Sequence, residues 1–200
     1  MNNYKGCGHK SAHEHGKGRR DGSSFKMHDP SLVFGELKLK AGDVFLDLGC
    51  GPGEYAIYAS KLVGESSAVY ALDKSRNLIA DLKQRAGEDG IANITAVVSD
   101  ITKPLPIRKA CANVCFVATV LHIPNVTRRT REFCSEIRRV LKPDGRLVII
   151  DCHKKDLSFG PPEHMRLSPE EVKDLMAQSN FKVLSEVDLG YNYLIQFAVK

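Results

Sequence analysis

The stretch DLGCGPGEY, residues 47–55, places three glycines at alternate positions behind an acid. Asp47 follows the apolar run VFL, and Gly49, Gly51 and Gly53 come after it. Because glycine weakens helices and strands, this pattern is typical of a turn whose backbone lies close to a ligand. The spacing differs from the Gly-x-Gly-x-x-Gly of dinucleotide sites, and the turn lacks the Gly-Lys-Ser/Thr of a phosphate loop. A carboxylate here would repel a pyrophosphate and attract an ammonium group.

Two further acids end the next apolar runs. Asp73 closes AVYALD, 20 residues after Gly53, and Asp100 closes ITAVVSD. A carboxylate accepts two hydrogen bonds side by side, which suits the vicinal hydroxyls of a ribose. Asp100 is placed to accept a bond from an adenine amine, with Ile101 covering the ring. An amine, a ribose and an adenine without phosphates describe S-adenosylmethionine.

Each acid also has a purely structural interpretation. Asp47 is placed to cap the helix after the glycine turn, and Asp73 to cap a helix that begins near Ser75. Asp100 need only end its strand. The cofactor hypothesis therefore depends on all three acids coinciding with the glycine turn.

The elements that would position these residues alternate along the chain. Short apolar strands and amphipathic helices in alternation predict a parallel sheet with helices on both faces, and such sheets bind ligands beyond the carboxyl ends of their strands. The predicted strands are 44–48, 68–73, 94–99, 112–118 and 146–151, and the predicted helices are 54–63, 75–86 and 127–141. The sequence KPDG, 142–145, predicts a turn.

Caps and a hairpin are predicted at the two ends of the folded region. Asp29 and Pro30 are suited to begin a short helix. Ser168, Pro169 and Glu171 form the pattern of a capping box. The runs FKVLSEVDL and YNYLIQFAVK that follow are too close together for a parallel crossover, so they predict an antiparallel hairpin.

Four stretches together resemble the successive motifs of class I S-adenosylmethionine-dependent methyltransferases: VFLDLGCGPGEY, YALDKS, VVSD and EIRRVLKPDGRLVIID. The resemblance is closest to the small-molecule group that includes quinone-biosynthesis and arsenite-methyltransferase-like proteins. It is strong over 44–151 and continues over 27–200. It implies an α/β, Rossmann-like, doubly wound sheet of seven strands in the order 3-2-1-4-5-7-6, mostly parallel with an antiparallel last strand.

The resemblance also implies a role for individual residues. Asp47 would hold the methionine amine, the glycines would pass beneath the cofactor, Asp73 would hold the ribose, and Asp100 with Ile101 would hold the adenine. The backbone of Ala118 would contact the cofactor. The complete cofactor-binding set is Asp47, Gly49, Cys50, Gly51, Gly53, Asp73, Lys74, Asp100, Ile101 and Ala118. The product would be S-adenosyl-L-homocysteine.

Two histidines are candidates for a catalytic base. His122 follows the fourth strand in ATVLHIPN, and His153 follows the fifth in IIDCHKK. The alternative is that each is a loop histidine bonded to backbone. The first stretch lacks the Asn/Asp-Pro-Pro-Tyr of enzymes that methylate exocyclic amines, so that substrate class is disfavoured.

The whole chain indicates one folded domain behind a tail. Of 200 residues, 42% are hydrophobic and 26% charged, and no apolar run reaches the roughly 20 residues of a membrane span. Residues 1–26 predict a flexible, basic, His/Gly-rich tail, and 27–200 the methyltransferase domain. We expect a cytoplasmic protein, monomeric or homodimeric, whose scattered cysteines are reduced. The tail stretch CGHKSAHEHG has the composition of a metal-binding cluster, but no metal site is assigned.

The function expected from the sequence is transfer of a methyl group from S-adenosylmethionine to a small-molecule acceptor. One alternative is an RNA or protein methyltransferase that uses the basic helix Arg128–Arg139, although a nucleic-acid partner is less favoured. A second is an arsenite-type metalloid methyltransferase, which would need cysteine thiolates. A cofactor-binding protein without catalysis and a nicotinamide-dependent oxidoreductase are the remaining alternatives.

Overall fold

A computed structural model describes residues 23–155 and 160–200. The predicted tail therefore lies largely outside the described residues, and so does its cysteine and histidine cluster. The tail prediction differs from the structure at residues 23–26, because a 3-10 helix spans Ser24–Met27. Phe25 holds this helix against the domain, with its ring centroid 5.0 Å from that of Tyr55.

The described ranges contain seven strands and six α-helices. The strands are β1 (Phe45–Leu48), β2 (Val69–Asp73), β3 (Ile94–Val98), β4 (Ala112–Ala118), β5 (Leu141–Cys152), β6 (Phe181–Asp188) and β7 (Asn192–Val199). The helices are α1 (Pro30–Leu37), α2 (Glu54–Val63), α3 (Arg76–Glu88), α4 (Pro124–Arg128), α5 (Thr130–Val140) and α6 (Pro169–Gln178), and a second 3-10 helix spans Glu163–Met165. Strands and α-helices alternate except at β3–β4, α4–α5 and β6–β7. None of the helices in the described ranges has the length and apolarity that a membrane crossing requires.

The strands form one sheet in the order β3-β2-β1-β4-β5-β7-β6, which confirms the predicted topology. The pairs from β3 to β5 are parallel, whereas β7 runs antiparallel to both β5 and β6. Every residue of β1 is buried because helices cover both faces of the sheet. Two separate apolar clusters, one containing Leu46 and the other Phe45, form the core.

The predicted helix 127–141 is instead two helices, α4 and α5, that meet at Arg129. Pro124 supplies the first position of α4, where a missing N–H has no cost. The Thr127 hydroxyl donates to the carbonyl of Leu121, and the Thr130 hydroxyl donates to the carbonyl of Thr127. Such side-chain bonds to the backbone compete with regular helix, so they account for the break.

The predicted turn at 142–145 is a bulge within β5. Leu141 pairs with Ala112, and Arg146 pairs with Val114. Between these two pairs β5 has four residues, whereas β4 has one. A Cβ on Gly145 would lie 2.9 Å from the Ala112 carbonyl oxygen. The bulge therefore needs glycine at this position, which explains the turn-like composition.

The predicted caps and the hairpin are confirmed. The Asp29 carboxylate accepts a bond from the Ser31 amide, and α6 begins with the reciprocal capping box of Ser168 and Glu171. The hairpin pairs Phe181 with Val199 at its open end. The five described cysteines are unpaired.

Candidate active site

A cavity of about 440 Å³ lies at the carboxyl edge of the parallel strands. Its walls come from the ends of β1 to β4 and from the 3-10 helix at the start of the described chain. Four short stretches line it: the glycine turn after β1, residues 73–75 after β2, residues 99–102 after β3, and residues 118–120 after β4. Ser23 and Ser24 close one side. The volume is in the range of small-molecule sites.

Asp47 lines this cavity with a buried carboxylate. The residue is only 1% exposed, and its Oδ2 is buried without a hydrogen-bond partner among residues 23–155 and 160–200. Burial, together with the charge of Asp73, raises the pKa of the Asp47 carboxyl to about 8, and a hydrogen bond with the Ala56 backbone opposes this shift. A buried polar atom without a partner is costly to a folded protein. A cationic donor placed in the cavity would satisfy this oxygen and favour the ionised form.

The three glycines have different surroundings, although all have positive φ. A Cβ on Gly51 would meet no atom within 4 Å, so this residue borders open space. A Cβ on Gly49 would lie 2.7 Å from a methyl carbon of Val120. Gly51 is therefore the position where the backbone leaves room for a ligand.

Gly53 does not line the cavity, unlike the other glycines of the turn. A Cβ there would lie 2.5 Å from a methyl carbon of Leu82 on α3. Gly53 is also the N-cap of α2 in the left-handed conformation. Gly53 therefore has a packing role between the turn and α3, and its place beneath a ligand stays a prediction.

Asp73 holds the glycine turn and the start of α3. One oxygen accepts a bond of 3.0 Å from the Gly51 amide, and the other accepts a bond of 2.8 Å from the Ser75 amide. Each carboxylate oxygen has a second lone pair, so both oxygens can still accept bonds from a ligand. Asp73 thus combines the helix-start role and a cavity-lining position.

Asp100 and Ile101 line the same cavity after β3. Asp100 Oδ1 accepts bonds from both the amide and the hydroxyl of Thr102, at 3.0 and 2.7 Å. These bonds lower the pKa of the Asp100 carboxyl, so it is ionised at neutral pH. Ile101 is buried beside it. The remaining predicted residues, Cys50, Lys74 and Ala118, also line the cavity.

The two predicted catalytic histidines do not line the cavity, and each is paired with a carboxylate instead of with backbone alone. His122 Nδ1 lies 2.6 Å from Asp151 Oδ1, and His153 Nε2 lies 3.2 Å from Asp188 Oδ1. Val120 and Ile123, close neighbours of His122 in the chain, do line the cavity. His122 is therefore beside the cavity wall.

Several cavity residues were not predicted from the sequence. Tyr55, in the first turn of α2, lines the cavity and bonds through its hydroxyl to Ser24 Oγ at 3.2 Å and to His28 Nε2 at 2.7 Å. Thr119 lines it with φ of 54°, an uncommon conformation for this residue type. Adjacency to the glycine turn and to Ala118 was the only sequence signal available for these two residues.

Comparison with known proteins shows the family. The family model for the methyltransferase domain matches residues 39–194. The chain therefore belongs to this methyltransferase family. Its fold is the class I, Rossmann-like methyltransferase fold that the sequence motifs indicated.

Two curated relatives and one solved structure illustrate the similarity. The 2-phytyl-1,4-naphtoquinone methyltransferase of Trichormus variabilis is 38% identical over 58% of this chain and 49% of that protein. The demethylmenaquinone methyltransferase of Lactobacillus johnsonii is 32% identical over 76% of this chain and 63% of that protein. A SAM-dependent methyltransferase structure from Aquifex aeolicus is 30% identical, with TM-score 0.81, over 90% of this chain and 95% of that chain. The chain spans about half to two thirds of the length of these curated relatives.

Proposed function

We propose that this protein is an S-adenosylmethionine-dependent methyltransferase that acts on a small-molecule acceptor. The observation that carries the proposal is the buried Oδ2 of Asp47 in the cavity wall, which has no hydrogen-bond partner in the part of the chain that the structure describes. An ammonium group is the ligand chemistry that such an oxygen favours, and the α-amine of S-adenosylmethionine provides it. A pyrophosphate would instead place negative charge beside Asp47 and Asp73.

The other walls suit the rest of this cofactor. The lone pairs of Asp73 that remain after its two backbone bonds can accept both ribose hydroxyls. The open space at Gly51 leaves room for the ligand against bare backbone. Asp100 can accept from the adenine amine while Ile101 covers the ring. These residues therefore match an amine, a ribose and an adenine in one cavity.

The protein's main task in the reaction is positioning. Bound S-adenosylmethionine supplies an activated methyl group, so the barrier falls chiefly through alignment and exclusion of water. Asp47 would fix the methionine end of the cofactor, Asp73 its ribose and Asp100 its adenine end. The 3-10 helix that carries Ser23 and Ser24 would shield one side of the cavity from solvent.

A small-molecule acceptor is supported by the names of the relatives, two of which are named for quinone methylation. The basic helix gives less support to an RNA partner, because Arg139 is already engaged. Its guanidinium bonds to Glu136 and to the carbonyls of Leu105 and Ile107. Arg139 thus anchors the loop between β3 and β4.

An arsenite-type reaction is also less well supported. It needs thiolates, and burial raises the pKa of the Cys134 and Cys152 thiols to about 11. The pKa of the Cys50 thiol, in the cavity wall, is raised further by burial and by Asp47. These three thiols are therefore protonated at neutral pH.

Calorimetry with S-adenosylhomocysteine and with NAD tests the cofactor proposal. We expect binding of the first and no binding of the second, and the reverse result would overturn the proposal. Transfer of an isotopic methyl group into a metabolite extract, an RNA pool and a protein lysate, side by side, tests the acceptor class. Incorporation confined to the metabolite extract is expected, whereas incorporation confined to RNA or protein would refute the small-molecule assignment.

A further inference from the structure

His122 and Asp151 form a hydrogen-bonded pair where β4 and β5 end. The Asp151 side chain is fully buried, and that of His122 is 11% exposed. The 2.6 Å separation of Nδ1 and Oδ1 is short, as expected for a bond to a charged acceptor. The pair arises from the sheet, since Ala118 of β4 lies opposite Ile150 of β5, directly before Asp151.

The Asp151 carboxylate is held in one orientation by backbone amides. Its Oδ2 accepts a bond of 3.1 Å from the His122 amide, and its Oδ1 accepts one of 2.8 Å from the Cys152 amide. A carboxylate accepts but does not donate, so Nδ1 of the imidazole must carry the proton. In the neutral ring, Nε2 then carries the lone pair.

The free side of the ring faces an accessible space. Within residues 23–155 and 160–200, Nε2 of His122 has no hydrogen-bond partner, and it is not among the buried unpartnered atoms. Val120 and Ile123, on either side of His122 in the chain, line the cavity. Nε2 is therefore accessible, on a residue whose close neighbours in the chain form part of the cavity wall.

Several titratable groups surround the pair. Burial raises the pKa of the Cys152 thiol to about 11 and that of the Tyr193 hydroxyl further, so both are neutral. Glu170 and Glu171 of α6 act on the Tyr193 hydroxyl more weakly than Asp151 does. The Arg166 guanidinium donates to the carbonyls of Pro161 and Lys155.

The second histidine–carboxylate pair is a natural comparison. His153 and Asp188 are 3.2 Å apart, but the Asp188 side chain is 70% exposed. An exposed pair gains little from its charge and does not fix a ring rigidly. The two pairs therefore differ in burial of the carboxylate while sharing the same residue types.

We propose that Asp151 is a positioning residue that holds His122 with an unprotonated Nε2, and that His122 is the base for an acceptor whose nucleophilic atom bears a proton, such as a hydroxyl or an acidic carbon. This inference rests on the proposed function. The acceptor atom gives its proton to Nε2 and its electron pair to the new bond with the methyl carbon. The sulfur–methyl bond breaks, and its electron pair stays on the sulfur. The buried carboxylate then balances the charge of the imidazolium.

Nitrogen NMR of the histidine side chains tests the positioning role without any acceptor. In the ¹⁵N-labelled protein, we expect the neutral His122 ring to be the Nδ1–H tautomer. In Asp151→Ala the acceptor is lost, so the tautomer ratio should change at least tenfold toward Nε2–H. Asp188→Ala is the matched control and should leave His122 unchanged.

Two results would overturn the proposal: an Nε2–H tautomer of His122 in the unaltered protein, or the same tautomer ratio in Asp151→Ala. Near-ultraviolet circular dichroism checks that Asp151→Ala is folded. If it is not folded, the nitrogen NMR spectrum of the unaltered protein alone decides whether the proposal stands. If S-adenosylhomocysteine does not bind, the proposed function fails, whereas the tautomer of His122 remains measurable.

Once an acceptor is found, Asp151→Ala should lower kcat at least 100-fold with unchanged KM for S-adenosylmethionine. Methylation of an acceptor atom without a proton would refute the base role.

Discussion

Replacing Asp47 by asparagine removes the charge of a buried carboxyl while keeping its shape. Because burial and Asp73 raise the pKa of this carboxyl to about 8, the free protein carries it largely protonated at pH 6. An ammonium ligand binds the ionised form, so affinity should follow the ionised fraction. That fraction rises about 25-fold between pH 6.0 and 7.5, equivalent to about 1.9 kcal/mol. The affinity of the unaltered protein for S-adenosylhomocysteine should increase by the same factor.

Calorimetric titration with S-adenosylhomocysteine at several pH values measures this slope. Asp47→Asn should lack the slope and bind more weakly than the unaltered protein at pH 7.5. Asp100→Asn is the control, because Thr102 lowers the pKa of Asp100 and keeps it ionised throughout the range. That variant should lose affinity at every pH and keep the slope. The ligand's own amine also titrates, but it affects the pH dependence of affinity equally in all three proteins. A flat profile for the unaltered protein, or a preserved slope in Asp47→Asn, would refute the reasoning.

The same carboxyl predicts a pH dependence of stability in the ligand-free protein. The folded-state pKa is raised from 3.8 to about 8, so between these values the folded protein keeps a proton that the unfolded chain has released. The free energy of unfolding should therefore fall as pH rises from about 4 to 8, by up to about 1.4 kcal/mol per unit from this group. Urea denaturation of the Asp47→Asn variant should show a smaller fall. An equal fall in both proteins would contradict the burial argument.

Four further substitutions test the site by calorimetry and urea denaturation. Asp73→Ala should weaken S-adenosylhomocysteine binding by about 1–3 kcal/mol, as expected for lost bonds to a charged group, and unchanged affinity would exclude the ribose role. Gly51→Ala should reduce ligand affinity and lower the free energy of unfolding by about 1–2 kcal/mol, because the residue has a positive φ. Gly53→Ala should lower the free energy of unfolding more, because its Cβ would also meet Leu82. Equal stabilities of the two variants would contradict this packing difference. Tyr55→Phe should lower stability by about 1–3 kcal/mol because His28 Nε2 loses its partner, and an unaltered midpoint would show that this bond contributes nothing.

The fold was largely predictable because its determinants are local. The strand 112–118 and the helix 54–63 were predicted with the bounds that the structure gives. Hydrophobic alternation and caps fix such elements, and the short link between the last two strands allows only an antiparallel hairpin. The break at Arg129 was not predicted, because it depends on threonine hydroxyls that donate to backbone carbonyls, and the sequence does not show these bonds.

The site was predictable where it follows strand ends and less so elsewhere. Asp47, Asp73 and Asp100 line one cavity because parallel strands place their carboxyl ends at the same edge. Tyr55 and Thr119 were missed because nothing in their local sequence separates a cavity wall from an ordinary buried position. The partner of His122 was also missed, since Asp151 lies 29 residues away along the chain.

The sequence by itself determined which residues could bind a ligand: the alternation of elements, the acids at successive strand ends and the glycine turn are all set by residue type and spacing. The tertiary structure decided how these residues are used. It placed Gly51 beside open space and Gly53 against Leu82, and it brought Asp151 to His122. Among the described residues, it left one buried oxygen of Asp47 without a partner. The physical reason is that backbone preference acts over a few residues, whereas burial and hydrogen-bond partners depend on neighbours that only the packed sheet and helices supply.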